Sequence, residues 1–268
     1  MAKHPVQGII SDADPRPAGF LNCQGSSTFL LTGDHAGNLI PPALAGLGLA
    51  PEILSLHIAI DIGVMQLGQL LSETLDAPFV FQRYSRLVID CNRDPARADA
   101  IPAVSDGIAV PGNQTLSSAA RKLRVAEILT PYQAAIAALL SWRRSAGQPT
   151  ALVALHSFTP VMDGVARPWD IGVLYDGGDT RFALALLSGL RRRTDIIVGD
   201  NAPYQMDETD YSVPLHAYGQ HIPYVEIEVR QDLLATAEGQ KRIAAILCET
   251  LRMAWHDMRP VIAGGTEA

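Results

Sequence analysis

FLLTGDHAGNLIP, residues Phe29 to Pro41, is the stretch from which the rest of the chain can be read. The apolar run Phe29-Leu30-Leu31 reads as a short buried strand that stops at Thr32-Gly33, and Asp34 and His35 follow at once. A histidine just past the C-terminal end of a strand is where α/β sheets place ligand chemistry. The small residues Ala36 and Gly37 let backbone or ligand come close. Asn38 reads as a helix N-cap, and Pro41-Pro42 as the first turn of a helix running to about Gly48. Taken alone, the stretch also fits a histidine merely packed in a strand-to-helix loop.

Downstream, the same logic recurs. Residues 54–60, LSLHIAI, lead into DIGVMQLGQLLSETLDA, where Val64, Leu67, Leu70, Leu71 and Leu75 have helical spacing behind Asp61. Asp61 therefore reads either as a helix N-terminal charge or as a side chain aimed into a cleft above the sheet. Strands are expected at 79–81 and 87–89, the second flanked by Arg86 and by Asp90-Cys91-Asn92-Arg93. Residues 94–115, with Pro95, Pro102 and Pro111, read as a long rim loop. Helices are expected over 116–129 and over 130–144, the second opened by Thr130-Pro131 as N-cap and N1. The strand 151–155, ALVAL, ends at His156-Ser157, repeating the strand-then-histidine pattern. A strand at 171–175, a helix at 181–193, a strand at 195–198, a polar loop at 200–211, a strand at 224–229 and a helix at 232–259 complete the chain. In the strand YVEIEV, Glu226 and Glu228 share one face. Cys91 reads as buried and inert.

Strands alternate with helices, which predicts an α/β fold: a single domain, residues 1–268, with a mixed sheet flanked by helices on both faces and an irregular N-terminal arm over residues 1–28. A net charge of -7 and a pI near 5.4 argue against nucleic acid as a partner. Three widely spaced cysteines argue for a reducing compartment, and neither a signal peptide pattern nor a long apolar run is present, so the expectation is a cytoplasmic protein with no membrane span. No GxGxxG or GxxxxGK[ST] element supports nucleotide binding.

The polar groups gather at strand ends: His35, the Arg86–Arg93 cluster, His156 and Glu228. Two neutral imidazoles from separate strand ends can share a zinc ion, and a nearby carboxylate can act as general base. Arginines and an asparagine can hold a carboxylate and a developing oxyanion. Together these point to metal-assisted hydrolysis of an amide. His216, on the segment before Glu228, is a further cleft candidate.

GDHAGNLIP, HIAIDIG, SRLVIDCNR, ALHSFTP and YVEIEVRQDL, in this order, resemble the N-formylglutamate amidohydrolase family, over about residues 29–235. That family is similar to the zinc carboxypeptidases and aspartoacylases, so the resemblance implies a zinc-carboxypeptidase-like fold, one zinc per chain and a small-molecule N-acyl amino acid as substrate. It implies zinc bound by His35 and His156, Glu228 as general base and proton shuttle, Asn92 and Arg93 gripping a substrate carboxylate, and Arg86 polarising the scissile carbonyl. The carboxypeptidase pattern places a glutamate three residues after the first histidine, where this chain has Asn38. Asp61, Asn38, water or the neighbouring Asp34 are the candidates for the third ligand.

Overall fold

The structure is a computed structural model and describes residues 8–258, so the first seven residues of the expected arm and Arg259 of the last helix lie outside it. Seven strands form one mixed sheet: β1 Ala18–Leu21, β2 Phe29–Gly33, β3 Phe79–Gln82, β4 Ala151–Phe158, β5 Ile171–Leu174, β6 Val198–Asp200 and β7 Tyr224–Arg230. Their spatial order is β1-β3-β2-β4-β7-β5-β6. The central run β3, β2, β4 and β7 is parallel, β1 and β5 pair antiparallel with β3 and β7, and β6 lies parallel to β5.

Period-two alternation sorts the side chains. Leu31, Val153, Leu155, Val225 and Ile227 face one way, under α1 Val64–Leu75, α4 Arg181–Arg191 and α6 Ala237–Met258. Leu30, Leu152 and Ala154 face the other way, under α3 Thr130–Ser145, which continues α2 Ser118–Arg124, and under α5 Ser212–Ala217. Both faces of the parallel core are thus covered, as its unbroken apolar strands require. Truncating a fully buried side chain such as Leu67 or Leu155 would cost about 2–5 kcal/mol.

Four expectations change. Residues 18–21 of the arm form an edge strand, because Ala18–Leu21 pair with Phe79–Gln82. Leu87, Val88 and Ile89 are fully buried but form a loop, not a strand. Their backbone is satisfied by side chains instead: Asn113 Nδ2 donates to Leu87 O at 2.9 Å, and Arg124 Nη1 donates to Val88 O at 2.9 Å. Thr130 does not start a helix. Its backbone is already helical, and residues 118–145 run on through the π turn Val125–Leu129. The wider turn sits where the Pro131 ring would otherwise press on the carbonyl of Glu127. This run is long and apolar enough to cross a membrane by length and composition, but Ile128, Leu129, Tyr132, Ile136 and Leu140 pack it against the sheet. The segment after Pro41 is a 3₁₀ turn rather than an α-helix, and Asn38 caps nothing.

Candidate active site

The parallel strands β2, β4 and β7 put their C-terminal ends on one edge of the sheet, and the polar cluster sits there. His35 follows β2, and the carbonyl of His35 accepts the backbone N–H of Asp61 at 2.9 Å, which brings the loop ahead of α1 against it. His156 lies in β4 directly opposite Glu228 of β7. Gly37 fixes the loop from below: a Cβ there would collide with the carbonyl oxygen of Arg83.

Both imidazoles turn Nδ1 toward Asp61. Asp61 Oδ2 stands 2.9 Å from His156 Nδ1 and 3.4 Å from His35 Nδ1, and one ligand atom from each residue falls within 4.8 Å of the others. The far sides of the rings face further acids. His35 Nε2 is 2.6 Å from Asp90 Oδ1, and His156 Nε2 is 3.7 Å from Asp34 Oδ2. Asp34 Oδ1 in turn accepts the Tyr132 hydroxyl at 2.6 Å. Arg86 donates to Asp90 Oδ2 from Nε and Nη2 and to Asp61 Oδ1 from Nη1 at 3.2 Å.

All five of these acidic and imidazole side chains are buried. Burial alone would depress the histidines, but the surrounding carboxylates reverse it and hold His35 above, and His156 well above, the ordinary histidine range. Burial would likewise raise Asp34, Asp61 and Asp90, yet the imidazoles and hydrogen bonds hold all three below the ordinary carboxylate range, Arg86 adding its charge for Asp61 and Asp90. At Glu228 burial outweighs the pull of His156, Arg86 and His35 and pushes it up to about 7, and its Oε2 makes no hydrogen bond. Glu226 is raised well above the usual range for the same reason. The histidines and Asp61 supply two nitrogens and an oxygen, a donor set suited to a divalent transition metal.

These groups floor a cavity of about 470 Å³, whose wall includes Asn92, Arg93, Tyr204 and Asp210. Seven of the eight side chains singled out in the sequence therefore meet here: His35, Asp61, Arg86, Asn92, Arg93, His156 and Glu228. The eighth, His216, does not line the cavity. It is buried behind it, with Nε2 2.7 Å from Gln133 Oε1, and burial lowers it to about 4. Asn38 is also outside the cluster, its amide donating to Leu54 O at 2.9 Å. Asn92 is occupied in holding the wall: its Oδ1 accepts from the backbones of Tyr211 and Ser212 and its Nδ2 donates to Asp210. Asp90, Glu226 and Tyr204 are cleft or support residues beyond those eight; the alternation in YVEIEV signals Glu226, while nothing local signals Tyr204.

A sheet with an acid–imidazole cluster at its carboxyl edge and an unpartnered carboxyl beside it is the layout of a hydrolase. The family is more specific: the family model for N-formylglutamate amidohydrolase matches residues 27–235, and the chain belongs to that family of amidohydrolases. A gene product of Agrobacterium tumefaciens has a crystal structure with 35% sequence identity and a TM-score of 0.90, covering 93% of this chain and 99% of that one. The N-formylglutamate amidohydrolase of Ralstonia eutropha JMP134 superposes with a TM-score of 0.64 at 19% identity, covering 90% of this chain and 98% of that one, a likeness of fold. No curated protein matches the chain in sequence.

Proposed function

We propose that the chain is a zinc-dependent amidohydrolase that cleaves the amide bond of an N-acyl amino acid, with N-formyl-L-glutamate, split to formate and L-glutamate, as its substrate. The observation that carries this reading is the convergence of His35, Asp61 and His156 beside Glu228, which lies opposite His156 in the sheet. The residues fit the metal on their own chemistry. Both imidazoles point Nδ1 inward; His35 Nε2 is hydrogen-bonded to Asp90, the arrangement that fixes ring orientation and raises ligand basicity, and His156 Nε2 faces Asp34 at 3.7 Å. Zinc held by these three side chains would supply a Lewis acid and would lower the pKa of a water bound to it.

The chain's own groups do the rest. Glu228, with a free oxygen and a pKa near neutral, takes a proton from the attacking water and returns it to the leaving amine. Arg86 spends one N–H of each terminal nitrogen on Asp61 and Asp90, which leaves one on each for the developing oxyanion. Arg93, partly exposed in the wall, adds positive potential for a substrate carboxylate. Asn38 at the third-ligand position would suit a metal-free carboxylate-binding protein on the same fold; the Asp61 carboxylate beside both imidazoles supports the metal reading instead.

The test is formate release from N-formyl-L-glutamate by the purified protein, before and after chelation. Turnover that stops on chelation and returns with zinc is expected. No turnover of this or any other N-acyl amino acid by the zinc-supplied protein would overturn the reading.

A further inference from the structure

Arg86, expected to polarise the scissile carbonyl, and Arg93, expected to grip a carboxylate, both already face carboxylates of the protein. Arg86 is bonded to Asp90 and Asp61. Arg93 Nη1 donates to the carbonyls of Asn92 and Thr209 and lies 3.8 Å from Asp210. A third arginine, behind the cavity-lining Tyr204, is not so committed. Arg167 enters no ion pair among the described residues. Its Nη1 donates to the Tyr204 hydroxyl at 2.8 Å, and its guanidinium lies 4.8 Å from the Tyr204 ring centre and 5.9 Å from that of Phe158.

We propose that Arg167 and Tyr204 form the subsite that receives a carboxylate of the substrate. The Tyr204 and Phe158 rings hold the guanidinium in place, and its Nε and Nη2 make no hydrogen bond among the described residues, leaving the fork that matches a carboxylate with two parallel hydrogen bonds. The Tyr204 oxygen accepts from Arg167, so its own proton is available as a further donor. Tyr204 lines the same cavity as Glu228 and Arg86, and Arg167 is joined to that wall through the Tyr204 hydroxyl. The pair is also anchored to the machinery. Phe158 ends the strand that carries His156, and the Arg167 N–H closes the short hairpin that follows by donating to Pro160 O at 2.8 Å. The selected substrates are therefore N-acyl amino acids with a free carboxylate, over their esters and amides.

The turnover assay for this proposal rests on the amide-hydrolase reading. It compares kcat/KM for N-formyl-L-glutamate and for its dimethyl ester in wild type and in Arg167→Met, which keeps the apolar stem. The acid-to-ester ratio should fall by about 10- to 100-fold, carried by KM, as expected for loss of a charge-assisted pair. Arg167→Lys should restore part of it, and zinc content should not move. An unchanged ratio, including an equal loss on both substrates, would overturn the proposal. If wild type turns over neither compound, N-formyl-L-glutamate fails separately as the substrate. Calorimetric binding of N-formyl-L-glutamate to the two proteins then decides the subsite: tighter binding to wild type supports it, and equal or absent binding overturns it.

Discussion

Replacing Asp90 by asparagine removes one charge behind His35 while keeping the side chain's shape. Asp90 is 5% exposed; its Oδ1 lies 2.6 Å from His35 Nε2 and accepts the Asn92 N–H at 2.9 Å, and its Oδ2 takes two bonds from Arg86. An asparagine oxygen can still accept from Nε2, so the change turns a charge-assisted bond into a neutral one, a loss of roughly 1–1.5 kcal/mol. That corresponds to about a 5- to 13-fold weaker zinc site, which reaches the lower end of the roughly 10- to 100-fold range typical of such support residues. An opposing effect has a definite sign. Asp90 is one of the charges that raise His35, so the variant's His35 loses its proton more easily and competes less against metal. The deficit should therefore be larger near about pH 9 than near about pH 6. Competition against a chromophoric chelator measures it, with Asp99→Asn, an exposed acid on the same loop, as control. Zinc affinity within about 2-fold of wild type at the higher pH would refute the reasoning that Asp90 orients a metal ligand.

Glu228→Gln should keep zinc while formate release falls by about 10²- to 10⁴-fold, the span of a general base, and a variant within a few-fold of wild type would remove Glu228 from the mechanism. Zinc binding to the metal-free protein should release protons, because His35 and His156 are held above the ordinary histidine range; calorimetry in two buffers of different ionisation enthalpy reads this directly. The same shifts set the stability of the metal-free protein: the histidines' contribution is complete below the unfolded-state pKa of about 6.5 and is lost as pH rises through their raised folded values, so Tm of the chelated protein should fall as pH rises above neutrality. Gly37→Ala should destabilise by about 1–3 kcal/mol through the clash with Arg83 O, read as a lower denaturation midpoint, and a neutral effect would mean the loop can move aside.

The strand-end histidines were legible because an apolar run that breaks at once into Asp34-His35 or His156-Ser157 leaves the side chain at the sheet's carboxyl edge, whatever the helices do. Alternation puts Glu226 and Glu228 on one face without choosing between them; the resemblance to the family singles out Glu228, and the parallel register then sets it opposite His156. Asp61 was ambiguous because an acid ahead of a helix serves two purposes; only the backbone bond to His35 O settles which way its loop turns. The run Leu87–Ile89 misled because three buried apolar residues look alike in a strand and in a loop whose carbonyls are met by Asn113 and Arg124 from far along the chain. His216 misled for a related reason: its partner Gln133 lies on a different helix, and no spacing rule links them. Arg167 and Tyr204 carried no signal, since their meeting depends on a hairpin and a loop closing over the cleft.

The most direct test of the account is zinc per chain in purified wild type and in His35→Ala with His156→Ala, with circular dichroism confirming that both are folded. The account predicts about one zinc in wild type and none in the double variant. A wild type that takes up no zinc when it is supplied, or a folded double variant that holds as much as wild type, would contradict it.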